Sequence, residues 1–159
     1  MSITIRTGLK PGDVGYITYL HGKIYAEEYG FDTSFEPYVA RPLSDFSLTE
    51  TRRQKIWIVE KSDEIIGCIA IVDAGDNLAQ LRWLLLTKEN RGQGIGKRLM
   101  QCAIDFCREQ GFEGVYLWTV DLLVEAAGLY RSHGFRVSEE KRHRLWGLML
   151  NEQRYDLKL

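Results

Sequence analysis

A chain of 159 residues is the size of one ordinary domain, long enough to bury a core without disulfide or metal staples. With 45% hydrophobic and 27% charged residues it has the composition of a soluble globular protein, and 21 basic against 22 acidic side chains give no overall bias toward nucleic acid or a membrane surface. The three cysteines, Cys68, Cys102 and Cys107, include no C-x-x-C pair, so reduced buried thiols are expected and no metal site is. No run approaches the roughly 18 apolar residues that span a bilayer, and the N-terminus lacks a basic patch followed by an apolar stretch. The expectation is a cytoplasmic protein.

Met1 to Thr7 alternates apolar and polar side chains, with Ile3 and Ile5 on one face, and predicts a half-buried strand that ends at the turn Lys10-Pro11-Gly12-Asp13. Asp13 is a candidate N-cap. Val14, Ile17, Leu20 and Ile24 recur at helical spacing up to Gly30, which predicts a helix over Val14 to Tyr29. A second helical stretch, around Phe35 to Phe46, is interrupted in sequence by Pro37 and Pro42 and reads equally as a loop closing over a ligand. The period then changes to that of strands: Lys55 to Glu60, Ile65 to Asp73 and Leu78 to Leu86, joined by short polar turns as an antiparallel meander. A glycine-rich loop from Thr87 to Gly94 leads into a helix with Leu99, Ala103, Phe106 and Cys107 as its buried stripe, ending at Gly111. A strand Val115 to Thr119, a helix Leu122 to Ser132, a strand Phe135 to about Arg142 and a last strand Gln153 to Leu159 complete the chain. This order predicts an α/β fold: one domain over residues 1–159, a mixed sheet and helices on both faces.

The chemistry is concentrated in Arg91-Gly92-Gln93-Gly94-Ile95-Gly96-Lys97-Arg98, between a strand and a helix. Glycines there let backbone N–H groups approach an anion, and the unpaired amides of a first helical turn carry partial positive charge. From Lys88 to Arg98 four basic residues and one acidic residue give a local charge of +3. Alone, so short a glycine pattern reads equally as an ordinary connection. A Walker loop needs Ser or Thr after Gly96-Lys97, where Arg98 stands, and a Rossmann fingerprint follows the first strand of a βαβ unit, whereas a meander precedes this loop.

Arg91, Gly94 and Gly96 match the [R/Q]-x-x-G-x-[G/A] motif that the GNAT superfamily of N-acetyltransferases carries after its fourth strand. Ala126, Leu129-Tyr130 and Gly134-Phe135 match the family's A-x-x-L-Y-x-x-x-G-F ending, in the right order. The chain therefore resembles that superfamily, and Trp118 to Trp146 is similar to acetyltransferase halves fused to bacterial MarR-type regulators. The resemblance implies a fold of about seven strands and acetyl-coenzyme A as the acyl donor. Its diphosphate would lie on the amides and charges of Arg91, Gly92, Gln93, Gly94, Ile95, Gly96, Lys97 and Arg98. Its pantetheine arm would bond to the backbone of Leu84, Leu85 and Leu86 where the fourth and fifth strands splay. By the same likeness the N–H of Leu85 would stabilise the oxyanion and Tyr130 would protonate the departing thiolate. Without the flanking motif, Tyr130 reads as a core aromatic beside Ala126 and Leu129.

Deprotonating a lysine-like amine of pKa about 10.4 at pH 7 costs roughly 4 to 5 kcal/mol, so a proton acceptor is needed. Family members with a carboxylate base place a Glu where Gln80 stands, and many have an Asn where Leu123 stands. Glu28, with Glu27 and His21, is the substitute base on the first helix, set against the ordinary role of solvated helix residues. Residues 1–50 hold seven acidic and four basic side chains, which favours a cationic acceptor, a small amine or a protein lysine. The basic run Lys141-Arg142-His143-Arg144 adjoins Glu139 and Glu140 and reads as a solvated hairpin, not a nucleic-acid site. An acyl-CoA-binding regulatory or sensor module is the alternative to an enzyme. The oligomeric state stays open, a homodimer among the options.

Overall fold

In the computed structural model, residues 2–159 are described; Met1, which opens the first expected strand, lies outside them. Strand β1 (Ile3–Thr7) is followed by helix α1 (Asp13–Tyr29), helix α2 (Phe35–Leu48), and the meander β2 (Lys55–Lys61), β3 (Glu64–Gly75) and β4 (Leu78–Leu86). A single 3-10 turn at Lys88–Asn90 leads to helix α3 (Ile95–Glu109), strand β5 (Gly114–Val120), helix α4 (Val124–Ser132) and the hairpin β6 (Arg136–Leu145) and β7 (Leu148–Lys158).

Local chemistry explains most boundaries. Ser62-Asp63 joins β2 to β3 with φ of 53° and 64°, and Trp146-Gly147 joins β6 to β7 with φ of 49° and 84°. Both are two-residue turns with positive φ at each position, whose twist suits a hairpin. Helix α1 departs from expectation at its start. Gly12, with φ of 93°, occupies the cap, and Asp13 is the first helical residue; its carboxylate accepts the Lys10 N–H at 2.7 Å and pairs with Arg6 at 3.0 Å. Helix α2 also differs, because it runs unbroken through both prolines. Pro37 sits in the first turn, where its missing N–H costs little; Pro42 is interior and carries the full penalty, roughly 3 kcal/mol. Burial of Phe35, Val39, Leu43 and Phe46 along one face outweighs it. Strands β6 and β7 are longer than expected. Most of β6 is solvent-exposed and charged, so alternation does not reveal it.

The sheet order is β1-β2-β3-β4-β5-β7-β6, and every pairing is antiparallel except β4 with β5. Sheet residues alternate between two cores. Trp57, Val59, Ile69, Ile71, Leu81 and Leu117 pack with α3 and α4, while Ile56, Ile58, Cys68, Ala70, Trp83 and Leu85 pack with α1 and α2. The expected mixed α/β sheet with helices on both faces is what the chain forms.

Candidate active site

Strands β4 and β5 pair only at Leu78–Gly114, Ala79–Val115 and Gln80–Tyr116, and then part. The cause lies in β4. Cys68 pairs with Leu85 but Ala70 pairs with Arg82, so Ile69 faces both Trp83 and Leu84 in a bulge. Trp83 adopts φ of 54°, an uncommon conformation for a bulky residue. It is held by burial, by edge-on contact with Phe46 at 5.6 Å, and by the Cys68 thiol, which donates to the Trp83 carbonyl at 3.1 Å. Burial pushes the Cys68 pKa up to about 12, so this thiol stays protonated and serves as a donor, not a nucleophile.

Past the bulge, backbone groups alternate in direction. Thr87 donates to Ile66 on β3, and the Leu85 carbonyl also faces β3, 2.7 Å from where a Cβ on Gly67 would stand. Leu84 and Leu86 turn the other way: the Tyr25 hydroxyl meets the Leu84 carbonyl at 3.5 Å, and Arg91 Nε donates to the Leu86 carbonyl at 2.9 Å. This corrects the expectation for Leu85, whose amide belongs to the β3 ladder because one strand residue directs its N–H and C=O to the same side. At the open edge the backbone groups are those of Leu84 and Leu86.

A cleft runs from Leu84, Leu85 and Leu86 to Arg91, Gly92, Gly94, Gly96 and Lys97. Gly92 and Gly94 have φ of 75° and 82°, and Gly94 caps α3 without any side-chain hydrogen bond, so the first amides of the helix remain available at the cleft's end. Gly96 has a different function. A Cβ there would lie 3.3 Å from Leu129, so glycine lets α4 close against α3. Of the expected loop residues, Ile95 has its side chain buried in the core, and Gln93 and Arg98 are not in the cleft wall. Gln93 instead reaches back to the Glu89 carbonyl at 3.4 Å.

Glu28 comes to this cleft indirectly. Its carboxylate accepts both Arg91 terminal nitrogens, at 2.6 and 2.8 Å, and this pairing raises the Arg91 pKa. Glu28 thus orients Arg91, with each of its carboxylate oxygens bonded to that guanidinium. Glu27 is exposed and paired with Lys23 at 2.8 Å.

A second cleft lies beyond the bulge and meets the first at Tyr25, Leu84 and Leu123. Its walls include Gln80, Arg82, Trp83, Trp118, Thr119, Tyr130 and Trp146. Tyr130 packs on Phe135 and Tyr155 in the α3–α4 core, yet it lines this cleft because the sheet is open there. Burial drives its hydroxyl pKa well above the ordinary phenol value, so it remains protonated at neutral pH. Tyr25, stacked on Phe35 at 4.8 Å, lines both clefts, and its pKa is likewise raised by burial. Sequence reading missed Tyr25, although it follows His21 by one helical turn on the stripe that continues to Glu28 and Tyr29.

Two buried polar atoms of this cleft's wall residues, His21 Nε2 and Thr119 Oγ1, have no hydrogen-bond partner among the described residues. His21 Nδ1 lies 2.8 Å from the Ile17 carbonyl and must be the protonated nitrogen, which leaves Nε2 a bare acceptor. Burial lowers the His21 pKa to about 4, against 6.5 when exposed. A depressed pKa makes the unfolded chain bind the extra proton first, so stability is complete above about pH 7 and falls as pH drops through 6.5 toward 4. Between pH 7 and 5 the parent chain is expected to lose about 2 kcal/mol more stability than His21→Gln, measured by urea unfolding.

A sheet that parts between two parallel strands, with an uncapped helix start at one end of the gap, defines an acyl-CoA N-acyltransferase type of fold. A model of the acetyltransferase (GNAT) family matches residues 21–135, and the chain belongs to that family. Human N-acetyltransferase 8B is 30% identical over 100 residues, 60% of this chain and 44% of that protein. Rat N-acetyltransferase family 8 member 3 is 36% identical over 89 residues, 53% of this chain and 39% of that protein. The chain thus spans less than half the length of these curated relatives. Among solved structures, a GNAT family acetyltransferase of Staphylococcus aureus Mu50 superposes with a TM-score of 0.79 at 21% identity, covering 99% of both chains. An acetyltransferase of Salmonella typhimurium, solved with its cofactor acetyl-CoA, gives a TM-score of 0.79 at 16% identity over 99% of this chain and 94% of that one. These structural likenesses show a shared fold.

Proposed function

We propose that this chain transfers an acetyl group from acetyl-coenzyme A to a primary amine by direct attack in a ternary complex. The observation that carries this reading is the meeting of the two clefts at Leu84, one ending on free helix amides and the other walled by aromatic residues. The residues present fit the donor: the amides between Gly92 and Lys97, with Arg91 and Lys97, would hold a diphosphate, and Leu84 and Leu86 would hold the pantetheine arm. When bound, the donor supplies an activated thioester carbonyl.

Leu84 takes the oxyanion role expected of Leu85, because its backbone faces the gap. Once the amine nitrogen has bonded to the carbonyl carbon, Tyr130 gives its proton to the sulfur as the C–S bond breaks, and the surplus proton on the nitrogen returns to the Tyr130 phenolate, leaving neutral amide, free thiol and the starting phenol. The amine's own proton is released on entry. The setting that keeps buried His21 neutral disfavours an ammonium as well, and desolvation lowers an amine pKa by several units. His21 Nε2 and Thr119 Oγ1 then accept hydrogen bonds from the neutral amine. No carboxylate in the Gln80 position is required.

Acetyl-coenzyme A should raise the melting temperature, and a panel of amines, amino acids and peptides should release free thiol from it. Gln80 motivates the second reading, a non-catalytic acyl-CoA module; melting stabilisation with no thiol release from any member of the panel would select it.

A further inference from the structure

The mouth of the aromatic cleft is ringed by arginines from three separate elements. Arg82 on β4 lines the cleft itself, and a groove that shares Tyr38, Arg82 and Trp146 with it adds Arg41 from α2 and Arg144 from β6. Three arginines elsewhere hold carboxylates, Arg6 on Asp13 and Glu60, Arg91 on Glu28 and Arg154 on Asp156, while others, such as Arg53 and Arg131, bond neutral groups. Among the described residues no carboxylate pairs with Arg82, Arg41 or Arg144. Of the nearby acids, Glu152 contacts Lys141 and His143, and Asp32 accepts the Ser34 N–H. Arg82 lies over the Trp83 ring at 5.3 Å, half-buried, and its guanidinium carries five donors in a planar fork suited to a carboxylate.

These charges add an anion contact to the expected amine acceptor. Of the acids of residues 1–50, Asp13 and Glu27 pair with Arg6 and Lys23 of the same stretch, and Glu28 pairs with Arg91 from outside it. The walls add a second constraint. Trp146 at the hairpin tip packs on Phe31, Phe35 and Tyr38, at 4.8 to 5.1 Å between ring centroids, and is fixed by its carbonyl accepting the Asp32 N–H at 3.0 Å. A space enclosed in this way suits a small molecule better than a lysine on a folded protein.

Resting on the transferase reading above, we propose that the acceptor is a small amino carboxylic acid, or an equivalent amine with one compact anion. Its anion docks on Arg82, backed by Arg41 and Arg144, and its apolar body lies against Trp83, Tyr38 and Trp146. Arg82 is therefore a specificity-determining residue.

The test is thiol release from acetyl-coenzyme A with matched acceptors: leucine, phenylalanine and tryptophan, each beside its carboxamide, plus lysine-containing peptides. The acids are expected to exceed their carboxamides in kcat/KM by about 10- to 100-fold, the effect of one charge-assisted anion contact. Arg82→Leu should remove that preference through KM, Arg82→Lys should restore part of it, and the acetyl-coenzyme A Kd should not change. If Arg82→Leu does not fold, Arg41→Gln with Arg144→Gln, both at exposed positions, should reduce the same preference. Carboxamides or peptides preferred by the parent enzyme, or a preference intact without these arginines, would overturn the inference. Binding of acetyl-coenzyme A with no acid acetylated would also overturn it, while failure of acetyl-coenzyme A to bind would remove the transferase reading itself.

Discussion

Tyr130→Phe is expected to lower kcat by about 10² to 10⁴-fold while changing the acetyl-coenzyme A Kd by less than about twofold. The Tyr130 ring is 6% exposed between Phe135 and Tyr155, and among the described residues its hydroxyl has no protein hydrogen-bond partner. Removing the oxygen therefore leaves the packing intact and deletes only a proton donor. Tyr130 is not in the wall of the diphosphate cleft, so the loss should fall on turnover and spare donor affinity. The sign of its pH dependence follows from burial. A phenol whose pKa is raised keeps its proton above the ordinary tyrosine range, so the parent rate should not decline through ionisation of Tyr130 up to about pH 10. An unchanged rate in Tyr130→Phe would end its assignment as the acid.

Arg91→Gln is expected to weaken acetyl-coenzyme A binding by about 10- to 100-fold in calorimetric titration, with kcat at saturating donor little changed. Arg91 joins three things: the glycine loop, the free edge of β4 through the Leu86 carbonyl, and α1 through Glu28. Its loss removes a full charge from the cleft and leaves Glu28, whose side chain is 21% exposed, without its partner. Glu28→Gln separates positioning from proton transfer. It should raise the donor Kd by less than about tenfold, since Gln can accept one of the two hydrogen bonds, and it should leave the pH–rate profile in shape. If instead Glu28→Gln cost about 10² in kcat or more and abolished the acid limb of that profile, Glu28 would be the base and its contact with Arg91 incidental.

Much of this protein was legible before any coordinates, because the signals involved are local. Apolar period set the meander and α3, short polar turns marked the meander's connections, and the glycines between Arg91 and Gly96 announced a helix start that only an anion or water can cap. Tyr130 was marked by its Leu129 and Gly134-Phe135 neighbours. What the chain alone did not disclose depends on relations across the sheet. Whether Leu84 or Leu85 faces the gap is decided by a bulge at Trp83, and a shift of one residue in register reverses the direction of every backbone group beyond it. Whether Glu28 is a base or a partner depends on Arg91, 63 residues away. The continuity of α2 through Pro42 required the apolar stripe from Phe35 to Phe46 to find its core. The charge at the mouth of the aromatic cleft could not be counted from sequence, since folding gathers arginines there from β4, α2 and β6.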